Sequence, residues 1–477
     1  MGQGRPGSWA SEGKGVDTRA SVARVSLEIK PSVRESRVDT SRPLVPVALG
    51  TALVLVTYVT PIATIPATAA DLGAGPVARA WILSSMSVGL AAALLASGAV
   101  GDALGRRRTY VVGLVATGVG SLLCAVATGS ALFVGARVLE GVGGAAILAC
   151  GLAILAHGAR TPEERSHGSA IWGASVGLGI SAGVLLAASL DIGTGWRETY
   201  VVVGLLALAL VVPSLRLPES AAEHPRRLDL AGVVTLGAAM TLLVSGLTQA
   251  RSGLTAGVVV LFVAALVLLV LFAVVESRTV EPMLEPALLR NRGFLAATIG
   301  TLVLGAGIIS MSSNVPTLVQ VEMGGSLWAA SWLLLIWSVT SVVASLVVRN
   351  VRIRLSGPRL IAVALGVVAL GELLGTGMTA DSSPWRLAPS MFVAGLATGV
   401  LNAVLARESV ANVPPDRAAM GSGSNNTARY LGAACGITVF SVLLTHAGWN
   451  TAVLVAVGVT VVGAAAAAIL GATKSQA

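Results

Sequence analysis

The sequence predicts an all-α polytopic membrane protein with fourteen transmembrane helices. The chain has 477 residues, of which 55% are hydrophobic and only 12% are charged, and its mean hydropathy is +0.83. A soluble domain carries about 25% charged residues. Fourteen apolar segments can be counted, most of them near the roughly 20 residues that a helix needs to cross a bilayer. The composition and the segments together exclude a soluble globular class.

Residues 1–43 precede the first apolar segment and hold eight basic and five acidic residues. They contain no apolar run, so this stretch cannot bury enough surface to fold alone. A secretory signal peptide would place an apolar stretch directly after a short basic start, which this sequence does not do. We therefore expect a disordered cytoplasmic tail at 1–43.

The apolar segments follow one another from Leu44 onward, separated by short polar or charged stretches. The uncharged region from Tyr430 to Thr473 is long enough for two spans, and His446–Asn450 is expected to form the turn between them. The predicted spans are 44–70, 80–100, 110–129, 131–154, 169–190, 199–214, 230–249, 254–275, 295–319, 327–348, 360–378, 387–406, 417–445 and 451–471.

Basic residues predict the orientation of these spans. If the N-terminus is cytoplasmic, the inner segments collect 26 of the 32 Lys and Arg residues. Such a bias indicates that both termini face the cytoplasm, and it explains the net charge of +9 without a nucleic-acid partner. Arg far outnumbers Lys, and Ala, Gly and Val are abundant, which favours a bacterial host and hence the bacterial cell membrane.

A dense cluster of glycine and charge lies between the second and third predicted spans, in Gly98-x-x-x-Asp102-x-x-Gly105-Arg106-Arg107. The arginines set topology wherever they stand. Gly98 and Gly105 instead favour close approach of backbones, and Asp102 favours an ion pair or a helix-terminus contact that one state makes and another breaks. We expect this segment to act as a gating loop.

This segment closely resembles the signature loop of the major facilitator superfamily. Several further segments are similar to motifs of its fourteen-helix drug:proton antiporter branch, in which efflux of drugs and antibiotics is the expected activity. They are Arg137-x-x-Glu140-Gly141, Trp196-Arg197-Glu198-Thr199-Tyr200, Arg227-Leu-Asp229 with Gly232, and Glu281-Pro282-Met283-Leu284. Several positions depart from the branch pattern: Glu140 stands in place of a Gln and Thr57 in place of a membrane Asp, and the fifth-span element has Ile180 and Val184 in place of a Pro and a Gly.

The resemblance implies two six-helix bundles with two helices inserted between them. The N-terminal bundle would occupy 44–214, and 215–275 would hold a linker and the inserted helices. A cytoplasmic loop at 276–294 would lead into the C-terminal bundle at 295–471, followed by a cytoplasmic tail at 472–477. A weak echo of the signature loop at Ser356-Gly357-Pro358-Arg359 fits duplicated halves, although Arg354 replaces the acid.

Ionisable side chains inside the predicted spans are candidates for proton coupling, because their burial in a bilayer costs roughly 2.5–3.5 kcal/mol each on insertion scales. Arg137 and Glu140 lie one helical turn apart, so they form either a structural ion pair or a coupled site. Glu372 interrupts an apolar span with no basic residue within a turn. It is either a proton carrier, or a neutral hydrogen-bonded glutamic acid, or a glutamate near the outer interface.

Polar and aromatic interruptions of the later spans are candidates for contact with a substrate. The alternative for each is close helix packing with hydrogen bonds between helices. The candidates for the substrate cavity are Asn314, Gln320, Trp337, Asn402, Asn425, Asn426 and Arg429.

No motif indicates an enzyme, a metal site or a cofactor. The chain lacks a phosphate-binding Gly-x-x-x-x-Gly-Lys-Ser/Thr loop, so a proton gradient is the expected energy source. Cys124, Cys150 and Cys435 lie in apolar runs without metal-ligand spacing. We expect a secondary transporter that exports a small amphipathic drug, antibiotic or metabolite, with the lipid bilayer and protons as its other partners and no obligate protein partner. A facilitator, a proton symporter and a non-transporting membrane sensor are the alternatives.

Overall fold

The computed structural model describes residues 1–2, 43–159, 161–190, 192–220, 229–251, 253–279, 282, 286–348 and 355–472. The chain divides into two units, Met1–Asp39 and Thr40–Ala477, and all the described helices belong to the second. Some predictions fall largely outside the described residues. They are the tails at 1–43 and 472–477, Arg227, Arg354 and most of Glu281-Pro282-Met283-Leu284.

The first part of this unit consists of six helices joined by short turns. Pro occupies the first position of α2 and of α5, where its missing N–H costs nothing. The Thr161 hydroxyl caps α5 by accepting a hydrogen bond from the Glu164 N–H at 3.1 Å. Both helices therefore begin earlier than hydropathy predicts. The helices are α1 (Leu44–Asp71), α2 (Pro76–Leu104), α3 (Arg106–Ala125), α4 (Ser130–Gly158), α5 (Pro162–Ser189) and α6 (Arg197–Ser214).

Two further helices follow, α7 (Leu230–Ala250) and α8 (Ala256–Arg278). The Asp229 carboxylate caps α7 by accepting from the Gly232 N–H at 2.8 Å. On α7, Gly237 faces the backbone of Ala92 in α2, so α7 packs directly on the first six helices. Only 11% of the most apolar window of α8 is buried, as expected for a helix that faces lipid.

The remaining helices begin with α9 (Arg292–Leu304) and α10 (Ser310–Thr317), which π-helical turns at Gly305–Ile309 and Leu318–Glu322 extend into one continuous span. They are followed by α11 (Leu327–Val348), α12 (Gly357–Leu373), α13 (Ala388–Ala411) and α14 (Ala418–Ala472). Within the 55 residues of α14, Gly448 alone leaves helical geometry, with φ of 80° and ψ of 168°. The predicted turn at 446–450 is thus a break at one residue.

Among the described residues, twelve helices are long and apolar enough to cross a membrane. The described part of the chain contains no β-strand. The prediction of an all-helical membrane protein is therefore confirmed.

Two of the hydrophobic cores lie mainly in either the first six helices or the helices from α9 onward, and a smaller core joins α2, α7 and α14 through residues such as Leu95, Leu236 and Met420. One core consists only of buried residues between Ala296 and Ala467. Another is built mainly from residues between Val47 and Leu217, to which α13 and α14 add a few side chains such as Ala406 and Ala419. The first six helices meet the later ones mainly where α2 and α4 contact α14 and where α5 contacts α11 and α13, and these contacts surround the site.

Candidate functional site

The segment Gly98–Tyr110, here called the motif turn, joins α2 to α3 through a single residue. Gly105 has a φ of 115°, a conformation that glycine adopts readily and other residues do not, and α3 begins at the next residue. This tight reversal brings the Arg106 guanidinium to 2.8 Å from the Asp102 carboxylate. The two side chains are only 2% and 9% exposed, so the pair is buried. We call the membrane face of the helices at this turn the motif end.

Asp102 also holds the start of α14, which belongs to the other part of the chain. Its two carboxylate oxygens accept hydrogen bonds from the backbone N–H groups of Ala419 and Met420, at 3.1 and 2.8 Å. N–H groups in the first turn of a helix have no intrahelical acceptor, and they form the positive end of the helix dipole. Arg106 adds a hydrogen bond to the Pro415 carbonyl at 2.7 Å. The ion pair therefore binds the donors and an acceptor around the start of one helix.

Small residues allow the helices to touch at the motif end. A Cβ atom on Gly98 would lie 2.5 Å from the carbonyl oxygen of Ala419, and one on Gly423 would lie 2.5 Å from that of Leu94. The Ser422 hydroxyl of α14 donates to the Leu148 carbonyl of α4 at 3.0 Å. No room remains between α2, α4 and α14 at these contacts, so this part of the motif end is closed.

Arg107 and Arg108 of the motif turn contact the segment after α6. Both guanidinium groups lie near the Glu219 carboxylate, at 3.4 and 3.7 Å. The Arg107 N–H also donates to Glu219 at 3.0 Å. These contacts stay within the first part of the chain, unlike those of Asp102 and Arg106.

Arg137 and Glu140 form an ion pair at 2.7 Å on α4, and both side chains are fully buried. The Ser121 hydroxyl of α3 donates to the second oxygen of Glu140. Arg137 donates to the Thr57 carbonyl of α1 at 2.8 Å. Pro61, four residues later, has no N–H to offer that carbonyl, so Arg137 replaces the missing helical donor. The pair thus joins α1, α3 and α4.

A central cavity with about 1020 Å³ of empty space, part of it open to solvent, lies between the two parts of the chain. Its wall is mostly apolar, with contributions from α1, α5, α11, α13 and α14. The rings of Tyr58 and Tyr430 pack against each other in this wall, with 5.5 Å between their centroids and an angle of 58° between their planes. The Trp337 indole N–H donates to the Thr398 hydroxyl at 3.3 Å, which fixes another aromatic ring in the wall.

Arg429 is the one ionisable acid or base among the described residues that line the central cavity, apart from the two tyrosines. It is 5% exposed, and its Nη1 donates to the Asn402 side-chain oxygen at 2.8 Å. Its Nε and Nη2 are buried and have no hydrogen-bond partner among the described residues. The neighbouring Asn426 donates to the Ser422 carbonyl at 3.0 Å.

A second cavity of about 1230 Å³, also partly open to solvent, shares Tyr58, Ile62 and Ser313 with the central one. It reaches the ends of α7 and α10 that lie away from the motif end, where its lining includes Arg251 and Gln320. Arg251 is exposed there and lies 3.4 Å from the Thr438 hydroxyl. The two connected cavities therefore extend toward the end of the helices opposite the motif end.

Glu372 is fully buried on α12, outside the lining of either cavity. One of its oxygens accepts from the Thr460 hydroxyl at 3.2 Å, and the other has no partner among the described residues. Gly307, in the π-helical turn after α9, leaves room for the carboxyl group, since a Cβ atom there would lie 2.6 Å from it.

The structure brings four of the predicted cavity residues together in the central cavity, namely Trp337, Asn402, Asn426 and Arg429. Gln320 lines the second cavity. Asn314 instead accepts from Ser441, and Asn425 accepts from Thr301, so both connect neighbouring helices. Sequence reasoning missed Tyr58, Tyr430 and Arg251; the two tyrosines are half of the four in the chain and lie in apolar spans, which was an available signal.

The sequence profile described as Major Facilitator Superfamily matches residues 47–436. The chain belongs to this superfamily. Within it, the chain is 31% identical to the "Probable actinorhodin transporter" of Streptomyces coelicolor over 393 residues, which are 79% of this chain and 68% of that relative. It is 30% identical to the "Multidrug efflux pump LfrA" of Mycolicibacterium smegmatis, over 86% of this chain and 82% of the pump. These relatives confirm the predicted drug-efflux branch.

Among solved structures, the human organic anion transporter MFSD10 (TETRAN) matches with a TM-score of 0.67, covering 90% of this chain and 99% of that one. At 20% identity this likeness shows the fold alone. The facilitator-superfamily fold, the spanning helices and the bacterial efflux relatives identify a multi-pass transporter of the bacterial plasma membrane. Proteins of this superfamily act on small molecules as single chains.

Proposed function

We propose that this protein exports a small amphipathic compound, such as a drug, an antibiotic or a metabolite of its host, by alternating access coupled to proton entry. The observation that carries the proposal is the pairing of a central apolar cavity with an ionic contact that closes one end of it. The efflux relatives supply the direction of transport.

The membrane topology that we infer has fourteen spans. Gly448 divides α14 into two apolar helices. The 17 residues of α12, together with flanking residues, give a helix about as long as the roughly 30 Å thickness of the hydrocarbon core. Added to the other eleven candidate spans, these give fourteen. Spans 1–6 and 9–14 would form two bundles, since each set encloses a core of its own, and α7 and α8 would be the inserted pair.

The excess of basic residues places the motif end at the cytoplasm in this topology. The structure then corresponds to a state that is closed toward the cytoplasm and has its cavities extending outward. Release of Asp102 from the start of α14 would allow the motif end to open. The compound would then enter from the cytoplasm. This is the pair of states that alternating access requires.

Glu372 is our leading candidate for the proton carrier. One of its oxygens has no partner and no ion pair with a cation is present among the described residues, so the charged form lacks compensation in the closed core. The charged form would therefore need a rearrangement near Gly307, in a π-helical turn of the kind often found at functional sites. The Arg137–Glu140 pair is the alternative, although its compensated charges and its contacts with three helices favour a structural role.

The energy of one proton is sufficient for the task. A proton moving down about 150 mV releases roughly 3.5 kcal/mol, which supports a concentration ratio of several hundred for a neutral solute. A facilitator is the second candidate function, because Thr57 donates only to the Leu53 carbonyl and places no ionisable group where the branch has one.

Reconstitution tests the proposal directly. The protein in inverted proteoliposomes would be given an imposed pH gradient, and both the labelled compound and the internal pH would be followed. Uptake that dissipates the gradient is expected. Uptake that ignores the gradient would indicate a facilitator, and the absence of movement for every class of compound would favour a non-transporting sensor.

A further inference from the structure

We propose that the compound recognised by the central cavity is an amphipathic organic anion, with an apolar body and one carboxylate or comparable acidic group. This assignment rests on the proposed transport function and names its substrate class. It comes from the charges of the described residues around the two connected cavities.

Those charges have one sign. The described lining of the central cavity contributes Arg429, and that of the second cavity contributes Arg251. Neither described lining contains an Asp or a Glu. A cleft lined by one sign of charge and bounded by apolar walls concentrates ligands of the opposite sign.

Arg429 differs from the other fully buried arginines described in these helices. Arg106 is paired with Asp102, and Arg137 is paired with Glu140. Arg429 has no ion pair among the described residues. It donates one hydrogen bond, to the neutral side-chain amide of Asn402. An unpaired buried charge is costly, so a carboxylate supplied by a ligand would complete this site.

The unpartnered nitrogen atoms of the Arg429 guanidinium suit a carboxylate. Nε and Nη2 lie on one edge of the planar guanidinium, and both lack partners among the described residues. Two parallel N–H donors on one edge match the two oxygens of a carboxylate. Asn402 holds the third nitrogen, which orients the free edge.

The rest of the cavity suits an apolar body. Tyr58, Tyr430 and Trp337 present aromatic surfaces near Arg429, and the remaining wall is mainly aliphatic. Rings on the ligand could therefore pack against these side chains while its acid meets the guanidinium. Arg251 lies along the route by which the anion would leave toward the opposite end.

Equilibrium binding tests the assignment without any gradient. Three probes with one tricyclic body would be compared: anthracene-2-carboxylate, its neutral carboxamide and the corresponding aminomethyl cation. Binding would be measured by calorimetry on the full chain in nanodiscs of zwitterionic lipid, with empty nanodiscs subtracted. We expect the carboxylate to bind roughly 10- to 100-fold more tightly than the other two, the range typical of a hydrogen-bonded charge.

Variants assign the preference to a residue. Arg429→Gln should remove the preference for the carboxylate while the neutral carboxamide binds within about twofold, which also shows that the variant is folded. Arg429→Lys should restore part of the preference, because it restores the charge but not the planar edge. Arg386→Gln is the matched control: it removes an exposed arginine outside both cavities and should change nothing.

Several results would overturn the assignment. These are tighter binding of the cation, a preference that survives Arg429→Gln, or complete displacement of the carboxylate by added phosphatidylglycerol, which would identify a lipid-headgroup site. If cations or neutral probes are bound and pumped instead, the assignment fails and the exporter stands. If the carboxylate binds through Arg429 but no gradient moves it, the exporter fails and the anion site stands.

Discussion

The contact between Asp102 and α14 gives a quantitative prediction about the closed end. Asp102→Asn keeps the size of the side chain and one acceptor oxygen but removes the charge. The ion pair with Arg106 joins α2 to the adjacent α3, so its loss affects the closed and the open states alike. Among the contacts that Asp102 itself makes, only the hydrogen bonds from Ala419 and Met420 reach α14 and so distinguish the two states.

The size of the effect follows from those two bonds. A hydrogen bond to a charged group contributes about 1.5–3 kcal/mol, and neutralisation removes roughly half of that. Asparagine loses one of the two acceptors and weakens the other. We therefore expect the closed state to lose about 2–4 kcal/mol, which is at least roughly a 30-fold shift toward opening. Transport should become slower, whereas KM should change little.

Thiol accessibility measures this shift. Ser422 is fully buried between α14 and α4, so Ser422→Cys in a background without Cys124, Cys150 and Cys435 reports opening of the motif end. Inverted vesicles would be treated with a membrane-impermeant thiol reagent, and the labelling rate should rise at least roughly 30-fold with Asp102→Asn, the ratio set by the lost contacts. A rate within twofold of the parent would refute the reasoning.

Glu219→Gln is the matched control for this experiment. Glu219 contacts Arg107 and Arg108 of the same turn, but all of these residues belong to the first part of the chain. Its neutralisation should therefore leave the labelling rate unchanged. An equal rise in both variants would indicate general loosening of the turn rather than release of α14.

Three further predictions concern other parts of the bundle. Gly98→Ala should slow transport at least tenfold and increase Ser422→Cys labelling, because its methyl group would meet the Ala419 carbonyl at 2.5 Å. Gly366→Ala has open space around the added methyl group and should not change transport. Equal turnover in the two variants would contradict this prediction. Glu372→Gln should abolish gradient-driven accumulation but leave counterflow, whereas Glu322→Gln, at the exposed end of its span, should leave both activities unchanged. Unchanged accumulation by the Glu372 variant would remove Glu372 as the carrier. Arg137→Met alone should destabilise the protein by about 3–5 kcal/mol in a thermal melt, because it leaves the buried charge of Glu140 unpaired. The double variant Arg137→Met with Glu140→Leu should be destabilised less, since it leaves no unpaired charge. A double variant as unstable as the single one would argue against a structural pair.

Some site residues could be predicted because their chemistry is local. Asp102, Gly105 and Arg106 lie within five residues, so the motif turn and its ion pair follow from the sequence. The partner of that pair could not be predicted, because Met420 is 318 positions away and only the packing of α14 brings it there. The position of Arg251 in the lining of the second cavity could not be predicted either, because no motif in the sequence around it indicates this contact.

The sequence by itself determined the class of protein, the approximate spans and the superfamily. Hydrophobic length is a property of consecutive residues, and a helix in a bilayer satisfies its own backbone, so no distant contact is needed to recognise it.

Only the tertiary structure decided which polar side chains face the cavity. Asn425 and Asn426 are neighbours of one type in one helix, yet Asn425 contacts Thr301 of α9, whereas Asn426 lines the cavity with Arg429. Consecutive residues of a helix point roughly 100° apart, and the rotation of the helix about its axis is fixed by its neighbours. That rotation leaves Arg429 facing the cavity with two unpartnered nitrogens, and it is on this placement that the substrate assignment rests.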